Sequence, residues 1–157
     1  MKTILLVVGR TTEAYYVAAI DEYVRRVKRY IAFDLEVIPE LKNTRNLPEE
    51  TQKEREGELI LKALLPTDVV VLLDERGQEP RSLEFADYMR KKMNTVPRRL
   101  VFVVGGPYGF SRKVYAVARE RLSLSRMTLS HQMIRLLFVE QLYRAMTILN
   151  GEPYHHE

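Results

Sequence analysis

Two stretches of this sequence combine residue types that hold small molecules through the main chain. VGGPYGF, residues 104–110, puts Gly105 and Gly106 where a chain without Cβ atoms admits a ligand closely. Pro107 fixes the turn there, and Gly109 supplies a positive φ before the next helix. LSLSRMTLSHQM, residues 122–133, interleaves the hydroxyls of Ser123, Ser125, Thr128 and Ser130 with Leu and Met. Alone, it reads equally as a polar connector or as a binding loop.

Side chains that would carry other chemistry are missing. GGPYG is not GxGxxG, and VGRTTE, residues 8–13, lacks the dinucleotide fingerprint. There is no GxxxxGK[ST] phosphate loop and no GxSxG elbow. His131, His155 and His156 have no zinc-ligand spacing, and the chain has no cysteine, so no metal site is expected. Asp74 ends an apolar run as a phosphoacceptor would, but VVGR ends the first such run without an acidic pair to hold a cation. What remains is a ligand gripped by backbone groups in a shallow apolar cleft, a manner that suits adenosine and methionine moieties.

The elements that position these loops follow from hydrophobic period. KTILLVV (2–8), DVVVLLD (68–74) and RLVFVVGG (99–106) are apolar runs without alternation, which predicts strands covered on both faces. IAFDLEVI (31–38) alternates, as a strand with one solvated face does. Tyr16, Ile20, Tyr23, Val24 and Val27 share one face of a helix over about 12–30. Charged and mixed helices are expected ending near Leu64 and over 82–93, and LSLS (122–125) offers a short fifth strand. The pattern predicts a single α/β domain over 1–157, a mostly parallel sheet flanked by helices. In such sheets ligands bind at the carboxyl ends of strands, where VGRTT, LDERGQ, VGGPYGF and SRMTLS all fall.

The last helix, about 131–150, is apolar around most of its circumference, with Glu140, Gln141, Arg144 and Thr147 forming a narrow polar stripe. Such a helix requires cover on more than one side, and a homodimer through it is the simplest cover. The net charge is +4, and its excess lies in residues 101–157, with seven basic side chains against four acidic. That bias permits an anionic partner such as RNA without requiring one. No apolar run approaches the roughly 20 residues of a membrane span, so a cytoplasmic protein without a membrane partner is expected.

VVVLLDERGQ, FVVGGPYGFS and LSLSRMTLSHQMIRLLFVEQLYRAMTILNGEPYHHE together resemble the RlmH group of SPOUT methyltransferases. The likeness runs from the first strand to the last residue. Ser130 departs from it, standing where such proteins commonly carry proline, and adds a possible helix-capping hydroxyl. The resemblance implies a C-terminal trefoil knot, a homodimer, and S-adenosylmethionine as methyl donor to N3 of a pseudouridine in large-subunit (23S) ribosomal RNA, on the assembled ribosome. It implies that the cofactor lies against Leu73, Gly105, Gly106 and the segment Ser125, Arg126, Met127, Thr128, Leu129 and Ser130.

For the transfer itself, an imide N–H must be lost and the anion stabilised. Arg144 is the candidate for anion stabilisation or phosphate contact, and Tyr154 with His155 for orienting the base and aiding proton removal. Basic side chains at 25–29 and at Arg112 and Lys113 are available to RNA phosphates. Two alternatives stay open on sequence alone: a non-enzymatic RNA- or ribosome-binding module of the same fold, and a methyltransferase of another RNA such as tRNA.

Overall fold

A computed structural model describes residues 1–156 of the chain. The order is β1 (Lys2–Val8), α1 (Ala14–Val27), β2 (Phe33–Ile38), α2 (Glu49–Ala63), β3 (Val69–Gln78), α3 (Ser82–Thr95), β4 (Arg99–Val104), α4 (Arg112–Val117), β5 (Glu120–Leu122) and α5 (Met133–Leu149). All strands pair in parallel, in the spatial order β2-β1-β4-β3-β5. The unbroken apolar runs are explained by two separate cores. Leu5, Val7, Val71 and Phe102 face Val27, Phe85 and Phe138 from α1, α3 and α5. Ile4, Leu6, Val70 and Val101 face Ile60 and Val114 from α2 and α4. Each fully buried aliphatic or aromatic side chain contributes roughly 1.5–3 kcal/mol relative to exposure.

Two expectations change on folding. The fifth strand is Glu120–Leu122 rather than 122–125. Leu122 pairs with Leu73, and the chain then leaves the sheet because Ser123 and Ser125 close a hydroxyl turn: the Ser125 amide donates to Ser123 Oγ at 3.2 Å, and Ser123 Oγ donates to the Ser125 carbonyl at 2.8 Å. The last helix has more cover within one chain than its sequence suggests. It lies between α1 and α3 on the sheet, which buries Phe138, Val139, Leu142, Ala145 and Met146 and leaves Met133, Leu136 and Leu137 half-covered.

The path into α5 runs back across the sheet. β5 is the sheet edge, three strand spacings (about 14 Å) from β1. Yet Gln132, just before α5, accepts from the Thr12 amide at 3.2 Å and donates to the Arg10 carbonyl at 3.4 Å, both beyond the carboxyl end of β1. Residues 123–132 therefore cross over the carboxyl ends of β3 and β4.

Candidate functional site

That crossing segment closes one side of a cleft of about 490 Å³. Leu73 ends one wall, Gly105 to Phe110 form the floor, and Leu124, Ser125, Met127, Thr128 and Leu129 face them. Polar and apolar surface are mixed along it, as a molecule with a ring and a charged chain requires. The floor is a turn in which the Gly109 amide donates to the Gly106 carbonyl at 3.2 Å, with Gly109 at φ +82°. Gly106 has a different requirement: a Cβ there would sit 2.4 Å from a carboxylate oxygen of Glu56 on α2. A side chain at residue 106 would require the Glu56 carboxyl to turn aside.

The hydroxyls of the crossing segment mostly secure the segment itself. Beyond the Ser123–Ser125 turn, Ser125 Oγ accepts from the Met127 amide at 2.9 Å. Ser130 Oγ accepts from the Met133 amide at 3.1 Å, capping α5 at its first turn. Thr128 Oγ1 donates to Glu75 at 2.9 Å and ties the segment to the end of β3. Of the residues assigned to the cofactor by sequence, Leu73, Gly105, Gly106, Ser125, Met127, Thr128 and Leu129 line the cleft, whereas Arg126 and Ser130 do not. The Arg126 side chain is 90% exposed and lies 3.6 Å from Glu79. Asp74 lines the cleft as well, but its carboxylate is taken by the Tyr115 hydroxyl at 2.6 Å and the Arg76 amide at 3.0 Å. Burial, and then that bond to Asp74, push the Tyr115 hydroxyl up to about 12.

Arg144, Tyr154 and His155 form a second cluster, away from this cleft. The Arg144 guanidinium donates to Glu140 at 2.6 Å and meets His155 Nδ1 at 3.2 Å, while lying 4.8 Å from the centroid of the Tyr154 ring. Tyr154 donates to Glu140 at 3.0 Å and packs edge-on to Tyr143. Burial, and then its bonds to Tyr23 and Glu140, raise the Tyr154 hydroxyl above its ordinary value. Because a guanidinium can only donate, Nδ1 of His155 must accept, which assigns the proton of the neutral ring to Nε2. Nε2 is buried and meets no acceptor among the described residues. Arg144 lies ten residues along α5 from Ile134 of the cleft, roughly 15 Å of helix.

The chain is similar to known proteins along nearly its whole length. Residues 1–155 match a family model described as "Predicted SPOUT methyltransferase". The chain belongs to the SPOUT methyltransferase family. A protein named ribosomal RNA large subunit methyltransferase H from Bacteroides thetaiotaomicron is 73% identical, covering all of both chains. The protein of the same name from Porphyromonas gingivalis is 57% identical, again over both full lengths. Among solved structures, one titled "Probable Methyltransferase" from Bordetella pertussis superposes with a TM-score of 0.55 over 92% of this chain and 96% of its own. At 13% identity it speaks for the fold alone.

Two residues that shape the site of this SPOUT methyltransferase escape sequence reasoning. Arg135 is fully buried on α5, and its guanidinium donates to the Val8 carbonyl at 2.9 Å, the His131 carbonyl at 2.9 Å and Thr11 Oγ1 at 3.2 Å. It fastens the end of β1 to the end of the crossing segment. Glu56 is 5% exposed on a helix whose other glutamates are exposed. An acidic residue in EETQKEREGELILKA gives no sign of burial. The nearest signal is Gly57, where a Cβ would meet Ser111 Oγ at 2.3 Å, so α2 is drawn close to the start of α4.

Proposed function

We propose that this SPOUT methyltransferase transfers a methyl group from S-adenosylmethionine to N3 of a pseudouridine in large-subunit ribosomal RNA, on the assembled ribosome in the cytoplasm. The observation that carries the reading is the cleft itself, at the carboxyl ends of parallel strands, floored by the backbone of Gly105 and Gly106 and roofed by a hydroxyl-pinned segment. Such a cleft fits an adenosine–methionine ligand, because main-chain groups at a glycine turn can meet its polar atoms while Leu73, Leu124 and Leu129 cover its ring. Leu73, Gly105, Gly106, Ser125, Met127, Thr128 and Leu129 would hold it, with Arg126 and Ser130 contributing from outside the cleft by their backbone or by capping. S-adenosylmethionine supplies a methyl group on a sulfonium, so the protein's task is to align the ring nitrogen and to manage one proton.

The names of the full-length relatives support ribosomal RNA as the substrate. The passage of residues 123–132 over β3 and β4 to the end of β1 supports a trefoil knot. The roughly 15 Å between the cleft and Arg144 supports a homodimer in which the tail of one chain completes the cleft of the other. In that arrangement the N3 proton of the target passes to solvent water, Arg144 stabilises the imidate left behind, Tyr154 holds Glu140 and with it Arg144, and the Nε2–H of His155 donates to a ring carbonyl.

Mass spectrometry of ribosomal RNA nucleosides from cells lacking the protein tests the substrate. The expected result is loss of N3-methylpseudouridine, and an unchanged level refutes the assignment. Sedimentation tests the dimer, for which a monomer at micromolar concentration is the refuting result.

A further inference from the structure

The charged side chains that line the cofactor cleft come from two directions. Asp74, Glu75 and Arg76 sit together at the end of β3, where Asp74 is held by Tyr115 and Glu75 by Thr128. That corner has two acids against one base, so it offers no net attraction to an anion. Lys53 enters from α2 instead. It stands three residues before Glu56 on the same face of the helix, and the Glu56 carboxyl abuts Gly106 of the cleft floor. The Lys53 side chain is 26% exposed, and its ammonium lies 3.0 Å from Glu50, whose carboxylate is 67% exposed and lies outside the cleft. An ion pair so open to water contributes little and exchanges readily. His131 lines the same end of the cleft, since with Gly106 and Pro107 it also borders a small pocket behind the turn. Its imidazole is half-buried and has no hydrogen bond among the described residues.

Resting on the function proposed above, we propose that Lys53 takes the α-carboxylate of S-adenosylmethionine, with the imidazole of His131 as a second donor. The cofactor carries two positive groups, the sulfonium and the α-ammonium, and one negative group, the carboxylate. With its ring covered by Leu73, Leu124 and Leu129, the amino-acid end is the part left to meet charge. The acids at the end of β3 suit the positive groups and repel the carboxylate. Lys53 suits the carboxylate, and its partner Glu50 does not compete from within the cleft. Moving the ammonium from Glu50 to a ligand inside the cleft exchanges a water-exposed pair for a more sheltered one, in which opposite charges attract more strongly. Lys53 in this role selects and positions the cofactor and does not touch the methyl group that is transferred.

Calorimetry with two ligands tests this: S-adenosylmethionine, and its decarboxylated form, which keeps the adenosine, the sulfonium and the amine. The wild-type protein is expected to bind S-adenosylmethionine at least about 10-fold more tightly, as one charge-assisted contact supports. Lys53→Met, which keeps an unbranched apolar stem, should bring that ratio below about 3-fold by weakening S-adenosylmethionine alone. Its Kd for the decarboxylated ligand should stay within about 2-fold of wild type or tighten, since losing a cation favours a cationic ligand, and this also shows that the cleft is folded. Lys53→Arg should keep the preference. A wild-type ratio in Lys53→Met overturns the inference, as does equal weakening of both ligands, because a carboxylate contact cannot act on a ligand that lacks one. Equal affinity of the wild-type protein for the two ligands overturns it without any variant. A wild-type protein that binds neither refutes the cofactor reading itself, and this inference with it.

Discussion

The two ends of α5 hold two clusters of opposite construction. At its start, the cleft is made of backbone: a glycine turn, and a crossing segment whose hydroxyls bond to their own amides. At its end, Arg144, Glu140, Tyr154 and His155 bond to one another through side chains. The first is open and shaped to receive a molecule. The second is already paired, except for the buried Nε2 of His155 and Nε of Arg144. A backbone site fixes a ligand's position, and a charged side-chain cluster acts on charge that develops in a reaction. The contrast therefore separates binding from chemistry, and substitutions at the two ends should affect different quantities.

The largest effect is expected at the tail. Arg144→Ala should lower the single-turnover methyl-transfer rate by about 10²–10³-fold, the usual loss on removing one donor to a developing anion. Its Kd for S-adenosylmethionine by calorimetry should stay near wild type. A normal rate, or a loss located in cofactor affinity, would break the division between the two ends. At the cleft the pattern should invert. Gly106→Ala places a Cβ 2.4 Å from the carboxyl end of Glu56, and a floor shifted to relieve that overlap should weaken cofactor binding by calorimetry while the rate at saturating cofactor stays near wild type.

Between these two regions, Arg135 sharpens the comparison in another way. It belongs to α5 but serves the cleft, by holding the end of β1 against the crossing segment. Arg135→Leu leaves the Val8 carbonyl without its donor in the core. The expected loss is about 2 kcal/mol of unfolding free energy in urea. Loss of activity without loss of stability would move Arg135 from scaffold to substrate contact.

Legibility in the sequence divides along the same line. The backbone site is readable, because glycines at a strand end and hydroxyls before a helix signal themselves by type and spacing. The strands are readable too, since burial between two helical layers leaves an unbroken apolar run such as residues 99–104. The fifth strand sits earlier than LSLS because its register is set by pairing with Val71–Leu73, a long-range fact that those four residues do not encode. Arg144, Tyr154 and His155 stand out only through a family likeness; folding alone joins residues 144 and 155 through Glu140 and a ring nitrogen. Glu56 and Arg135 are invisible because each is one charge among many on its stretch of chain. Burial is decided by a neighbour distant in sequence, Gly106 for Glu56 and Val8 for Arg135.

The smallest expected effects concern how the cleft is held in shape. Ser130→Ala removes the cap on α5 and should cost about 1 kcal/mol of stability, with cofactor affinity little changed. Tyr115 supplies the finest distinction, through pH. Its hydroxyl is pushed up to about 12 in the folded chain by burial and by Asp74, against an ordinary value near 10. A group whose folded value is raised stabilises the fold while protonated in both states. Its contribution is therefore fully present below about pH 10 and is lost as pH rises toward 12. Thermal melts of Tyr115→Phe should accordingly lie below wild type near neutrality and converge on it at the alkaline end. Parallel curves across that window would mean that the Tyr115–Asp74 bond does not brace the wall of the cleft.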